Sequence, residues 1–282
     1  MSLQDRQTPA ILASRGSALI AWLLAVLAAA ASSTRGSQPP PAFKWPNGAK
    51  AAVSLSFDDA RESQLVNGVP LFAEHGVKVT FYLTASNIGD RGPSWRQAAA
   101  SGHEMGNHTV HHPCSANFPW AREHALEDYT LDRMRAELLE ANRLIEAATG
   151  QKPATFAYTC GHTFVGRGLE AKSLVPLVAE LFTAGRGWLG ETSNDPAFAD
   201  PAQLIGYPMD AVEFAELKPV VDEAIAQGRW LVLAGHDIGR GPGPQVTRVS
   251  MLRELLPYLR QRGVWVDTVA NIAAYVAKRK TR

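Results

Sequence analysis

Two neighbouring carboxylates, Asp58 and Asp59, stand where the apolar run Ala51, Ala52, Val53, Leu55 and Phe57 stops. Adjacent acids repel each other and resist leaving water unless a cation or a shared proton compensates. A second group is the stretch Asn107-His108-Thr109-Val110-His111-His112-Pro113, in which His108 and His112 lie four apart. One helical turn at that spacing puts both imidazoles on one side, at metal-ligand reach. Adding one carboxylate from Asp58-Asp59 makes a two-His, one-carboxylate set. Three protein ligands leave positions open for water or substrate, the mark of a catalytic rather than a structural metal site. His236-Asp237 ends the apolar run Trp230 to Gly235, and an imidazole with an ordinary pKa of ~6.5 suits a general acid near neutrality. A solvated, capping Asp pair or a satisfied structural histidine explains each group alone. Neither explains three apolar runs that all end on titratable groups.

The elements that must position these groups alternate regularly from Lys50 onward. Short apolar runs predict strands at Ala51 to Phe57, Val77 to Leu83, Glu104 to His108, Thr155 to Tyr158, Leu181 to Arg186, Trp230 to Gly235 and Val264 to Val266. Between them, helical spacing predicts a helix after Ser63 as N-cap, one from Trp95 to Ala100 closed by Gly102, and one from Leu131 to Ala148 ended by Gly150. Further helices are expected from Leu169 to Ala179, near Leu217 with Pro219 in the first turn, along Leu252 to Leu259 where Pro257 must kink or break it, and after Thr268 through Ile272 to Val276. About seven strand–helix units point to a parallel sheet and favour closure into a (β/α) barrel, with an open doubly wound sheet as the alternative. No Gly-rich phosphate loop follows the first strand, which counts against nucleotide binding.

The 282 residues carry a formal charge of +1, with no basic tract for nucleic acid and no acidic tail. The N-terminus differs from the rest. Arg6 and Arg15 precede an apolar stretch from Ala18 to Ala31 that ends in small residues, the layout of a secretory signal peptide over residues 1–31. An uncleaved membrane anchor is the alternative, although the run is short for a spanning helix. Residues 32–42, with Pro39-Pro40-Pro41, read as a linker, so that the folded domain covers 43–282. Export to the periplasm or the medium makes Cys114 and Cys160 candidates for a disulfide.

Ser56-Phe57-Asp58-Asp59-Ala60, then His108-Thr109-Val110-His111-His112, then a strand ending in His236 resemble the polysaccharide deacetylase family, carbohydrate esterase family 4. The resemblance covers about Lys50 to Val276. It implies a distorted (β/α) barrel of about seven strands with a divalent metal, usually Zn2+, and an acetylated polysaccharide or oligosaccharide as substrate. Carried over residue by residue, it makes Asp58 the general base, Asp59, His108 and His112 the metal ligands, and His236 the general acid. A backbone N–H near Tyr158 or Cys160 would help hold the oxyanion. It also puts the Cys160 loop on the same face as Cys114, which favours their pairing.

The chain departs from that pattern in places. Ala60 replaces the usual Gly, which is mild if its φ stays negative. Ala157 stands where the family carries an Arg that orients the base, and Arg186, ending the next strand, is the expected replacement. Trp188 is a candidate pocket wall, and Asp210 and Asp267 are candidate acidic partners of His236. Rival expectations are a carbohydrate-binding barrel without catalysis and a hydrolase of a non-sugar amide.

Overall fold

A computed structural model describes residues 43–280. The export segment (1–31) and the linker (32–42) predicted above lie outside the described residues. Among the described residues no helix is long and apolar enough to cross a membrane.

Seven strands make the frame: β1 (Ala52–Asp58), β2 (Thr80–Leu83), β3 (Glu104–Asn107), β4 (Thr155–Ala157), β5 (Ala184–Arg186), β6 (Gly206–Pro208) and β7 (Trp230–Gly235). They pair in the order β5-β4-β3-β2-β1-β7-β6, and every pairing along that path is parallel. A parallel bridge joins Arg186 to Leu204, and the Gly187 N–H donates to the Leu204 carbonyl at 2.8 Å. That contact brings β5 against the chain entering β6, so the sheet nearly closes into the expected barrel. A short strand, Trp265–Val266, pairs beside the start of β1.

Alternation along β1 sets two environments. Val53, Leu55 and Phe57 join the apolar layer under the helices, with Phe81, Leu231 and Leu233 from the neighbouring strands. Ser54, Ser56 and Asp58 take the other side and are buried with Thr80, Tyr82, Glu104, Thr155 and Arg186. Among the described residues, seven α-helices surround the sheet: α1 (Val69–His75), α2 (Gly92–Ala100), α3 (Leu131–Thr149), α4 (Val175–Leu181), α5 (Phe214–Ala226), α6 (Val249–Gln261) and α7 (Val269–Lys280). Helix α7 packs Val269, Ile272 and Val276 against Ala52, Ala184 and Trp230, the first residues of β1, β5 and β7. The N-terminal end of the barrel is thereby covered, and the other end is left for the site.

Five local expectations need correction. The chain from Leu169 does not enter a helix: Phe164–Val165 and Lys172–Ser173 form an antiparallel hairpin, turned through Gly166 and Gly168 at positive φ. Helix α4 starts at Val175 with Pro176 in its first turn, and it extends to Leu181, which shortens the next strand to Ala184–Arg186. Ser63 makes no side-chain cap; a π-helical turn, Gln64–Gly68, follows it, and its hydroxyl donates to Asp237 Oδ1 at 2.6 Å. Pro219 lies inside α5, not in its first turn, and Pro257 does not break α6. Both prolines, and the residues Ala215 and Arg253 whose carbonyls lose a partner, are exposed, so water can satisfy the freed oxygens.

Candidate active site

Asp58 is the last residue of β1, and Asp59 and Ala60 both adopt positive φ, 78° and 56°. The expectation of a negative φ at Ala60 is therefore wrong. A left-handed pair of non-glycine residues costs about 1–2 kcal/mol each, and the surroundings hold it in place. The Asp59 N–H donates to the Tyr82 carbonyl at 3.0 Å, and Asn87 Nδ2 donates to the Asp59 carbonyl at 3.1 Å. The turn separates the two carboxylates, so that Asp58 pairs inside the barrel and Asp59 meets the histidines.

His108 to His112 is a loop rather than the helical turn that the four-residue spacing suggested, with Thr109 and His112 at φ 66° and 54°. The loop is built by its own polar groups. Asn107 Oδ1 accepts from the Thr109 N–H at 2.7 Å, Thr109 Oγ1 accepts from the His112 N–H at 2.9 Å, and Glu137 Oε1 accepts from the N–H groups of Val110 and His111. His108 Nδ1 lies 2.9 Å from the Ala157 carbonyl, which can only accept, so Nδ1 carries a proton and Nε2 is the ring atom turned toward Asp59. The Nε2 atoms of His108 and His112 lie 3.6 and 3.4 Å from Asp59 Oδ1. One donor atom from each of the three residues falls within 4.8 Å of the others.

The charge states suit a cation. Burial works against ionisation of Asp59, but His108, His112 and His236 and the Arg61 hydrogen bond bring its pKa to about 2. Burial and the neighbouring His108 push His112 down to about 4 against the pull of Asp59. An ionised carboxylate and a neutral imidazole are ligand forms that a divalent ion needs. A second trio, His112, Cys114 and Cys160, also lies close together, but its sulfurs are joined as a disulfide and offer no thiolate.

Asp58 sits behind this triad, with Oδ2 3.9 Å from His108 Nε2. Its Oδ1 accepts from Arg186 Nη2. Burial opposes ionisation of Asp58, yet Arg186, followed by His108 and His236, holds its carboxyl below the usual range. Arg186 is fully buried, and its guanidinium lies 5.0 Å over the Tyr82 ring. Ala157 and Arg186 are direct partners in the β4–β5 register. Neighbours in a parallel ladder point the same way, so the guanidinium enters from one strand further along the same layer.

His236 follows β7, and its Nδ1 lies 2.6 Å from Asp210 Oδ2. Asp210 Oδ1 accepts from Thr247 Oγ1 at 2.6 Å and from the His236 N–H at 3.1 Å. Burial lowers the pKa of His236, but the Asp210 hydrogen bond and the charges of Asp58, Asp210 and Asp59 raise it above the ordinary histidine value. Asp210 is thus the acidic partner. Asp267 instead accepts from the Thr268 N–H and Asn271 Nδ2 at the start of α7. The rings of Trp188 and His236 meet edge to face, 4.9 Å between centroids.

Asp58, Asp59, His108, His112, His236 and Trp188 line one cleft of about 610 Å³, together with Tyr158, Cys160, Phe118, Trp120 and Leu189. Tyr158 contributes a wall rather than a donor: its N–H donates to the Arg186 carbonyl at 2.9 Å and its hydroxyl to the Ala202 carbonyl at 2.8 Å. Cys160, in a tight turn with φ 52°, is disulfide-bonded to Cys114 across a Cα separation of 5.9 Å. The bridge ties the loop that carries His112 to the loop after β4. A bridge spanning 46 residues contributes about 2–4 kcal/mol, so Cys114→Ser/Cys160→Ser lowers Tm by roughly 5–15 °C in a thermal melt. An unchanged Tm would show that the loops hold themselves.

Reasoning from sequence missed four residues that shape the cleft. Gln64 Nε2 joins the Asp58 and His236 carbonyls at 2.6 and 3.0 Å. Arg61 donates to Asp59, Asp237 and Gln245. Trp120 stands at the rim, 62% exposed, and Thr247 buttresses Asp210. The one available signal was Arg61, a charged residue immediately after the acid turn.

Residues 45–171 match the family model described as polysaccharide deacetylase. A gellan lyase from Bacillus sp. is 26% identical over 274 residues, which cover 84% of this chain and 10% of that protein. A chitooligosaccharide deacetylase from Sinorhizobium fredii is 33% identical over 98 residues, 34% of this chain and 40% of the relative. The chain spans at most 40% of the length of the curated relatives it matches. In fold, a Mycobacterium smegmatis protein provisionally described as a polysaccharide deacetylase superposes with a TM-score of 0.63 at 17% identity, over 86% of this chain and 96% of that one. The sequence of residues 45–171 is thus similar to the polysaccharide deacetylase family, and the barrel fold is shared with that Mycobacterium smegmatis structure.

Proposed function

We propose that the domain is a metal-dependent hydrolase that removes acetyl groups from a carbohydrate, an N- or O-acetylated polysaccharide or oligosaccharide. One observation carries this reading. Three cation-binding groups share a cleft with a buried carboxylate held by its own arginine and an imidazole held by its own aspartate. A binding barrel has no chemical need for that combination. Asp59, His108 and His112 would hold the ion, and their carboxylate and imidazole donors suit Zn2+. When bound, the ion polarises the acetyl carbonyl and acidifies a water molecule.

The chain's own groups move the protons. Asp58, kept ionised by Arg186, accepts the proton from the attacking water. His236, kept protonated and oriented by Asp210, donates through Nε2 to the departing amine or alcohol. Trp188 fixes the plane of that imidazole and narrows the cleft on its side. Phe118 and Trp120, whose rings stand 5.4 Å apart on the rim, offer apolar faces to a sugar ring. Export is part of the same proposal: the N-terminal pattern of residues 1–31 supports it, and a disulfide fits an oxidising compartment.

Acetate release tests the reading directly. Zinc-loaded and chelated protein would be compared on N-acetylglucosamine oligomers, peptidoglycan and acetylated xylan. Metal-dependent release from any one is the expected result, and the substrate that responds separates amide from ester chemistry. Glycan retention without release, by fully metal-loaded protein, would establish a binding barrel instead.

The pH profile gives a sharper check. Activity needs Asp58 ionised and His236 protonated, so kcat/KM rises with pH through the lowered pKa of Asp58 and falls through the raised pKa of His236. Asp210→Asn removes the charge that raises His236. The alkaline limb then moves to lower pH, and the acid limb stays in place. A profile that keeps its alkaline limb would exclude His236 as the acid.

A further inference from the structure

The two oxygens of Asp59 have different neighbours. Oδ1 faces the histidines, 3.6 Å from His108 Nε2 and 3.4 Å from His112 Nε2. Oδ2 is turned away from them and accepts from Arg61 through both Nη2 at 2.8 Å and Nε at 3.2 Å. Arg61 is itself fixed at its other end. Nη1 donates to Asp237 Oδ2 at 2.5 Å, and Nη2 also reaches Gln245 Oε1 at 2.7 Å. Asp237 is anchored in turn by Ser63 Oγ at 2.6 Å. The guanidinium therefore cannot follow Asp59 if that carboxylate rotates.

We propose that Arg61 is a positioning residue that holds Asp59 to single-oxygen ligation of the cation. This rests on the reading of Asp59, His108 and His112 as the cation site. A carboxylate free of Arg61 can turn its second oxygen onto a divalent ion, and bidentate ligation closes a position that water or the acetyl carbonyl needs. By engaging Oδ2, Arg61 keeps that position open. It also places a positive charge beside the ion, so the site gives up cation affinity for an open coordination sphere. The clamp has a second consequence. Asp237 adjoins His236, so Arg61 ties the strand end that carries the cation ligand to the strand end that carries the acid.

Co2+ titrated into the apo-protein is the test, because its visible absorption weakens as its coordination number rises. The variants are Arg61→Met, Arg61→Lys and Asp237→Asn, each checked by far-UV circular dichroism. Arg61 and Asp237 are partly exposed, with side-chain accessibilities of 26% and 34%, so these substitutions spare the core. Arg61→Met is expected to bind Co2+ about tenfold more tightly, at a cost of about 1.4 kcal/mol to the open form, with weakened absorption and lowered kcat. Arg61→Lys, which keeps a charged donor for Oδ2, restores the absorption in part, and Asp237→Asn gives a milder change of the same sign. Weaker binding by Arg61→Met, or an unchanged spectrum, would overturn the proposal, since a merely structural residue loosens the site when lost. Those outcomes leave the deacetylase reading intact. Wild-type protein that binds no Co2+, or His108→Ala that binds it equally well, would overturn both.

Discussion

Asp58→Asn lowers kcat by about two to four powers of ten and leaves cation binding nearly unchanged. The direction follows from geometry. Asp58 is not among the three groups placed to hold a cation, and its free oxygen stands 3.9 Å from His108 Nε2. Asparagine keeps the size of the side chain, and its amide oxygen still accepts from Arg186. The fold and the capacity to hold an ion are retained, and only the proposed proton acceptor is lost. Acetate release under single-turnover conditions, with bound zinc measured in parallel, separates chemistry from binding. Near-normal turnover would remove Asp58 from the mechanism, and loss of bound zinc would move it into the ligand set.

Arg186→Met is the variant with the largest effect on stability. Asp58 is 3% exposed and Arg186 not at all. Removing one partner of such a pair leaves a charge uncompensated in the interior, at a cost of about 3–5 kcal/mol. Tm then falls by roughly 6–20 °C. The pH dependence has a definite sign. With Arg186 present, the folded pKa of Asp58 is depressed, so the pair stabilises the protein above the unfolded carboxylate pKa, and that contribution is lost as pH falls through the folded value. Without Arg186, burial is opposed only by His108 and His236, and the folded pKa rises. The variant is then weakest near neutrality, recovers relative to wild type as the solution is acidified, and shows an acid limb of kcat/KM at higher pH. Ala157→Arg introduced into Arg186→Ala tests the register argument. The two positions are direct ladder partners on one layer, so partial recovery of turnover is expected. Normal turnover in Arg186→Met with an unmoved acid limb would show that the guanidinium does not orient Asp58.

Much of this molecule is legible before any coordinates. Asp58, Asp59, His108, His112 and His236 announce themselves because each motif sits within a few residues of a strand end, and apolar strands are easily recognised. The barrel follows from the count of strand–helix units. Other features were not legible for definite reasons. The helical turn expected from His108 to His112 is a loop, because Asn107, Thr109 and Glu137 satisfy its backbone without helix hydrogen bonds. The helix expected from Leu169 fails because Gly166 and Gly168 turn the chain into a hairpin first. The break offered at Pro257 does not occur, since α6 runs on through this exposed residue.

The sequence by itself determined the candidate groups: two acids, a histidine pair and a strand-end histidine, each encoded in a short local stretch. The tertiary structure decided how those atoms are held. It selected Asp210 over Asp267 for His236, brought Arg186 to Asp58 from the strand beside Ala157, split the oxygens of Asp59 between the histidines and Arg61, and placed Gln64 beneath two strand ends. The physical reason is range. Ligand motifs are set by neighbours along one chain segment, whereas the partners that fix charge and orientation lie 26, 128 or 172 residues away. Those partners meet only through the register of a closed parallel sheet.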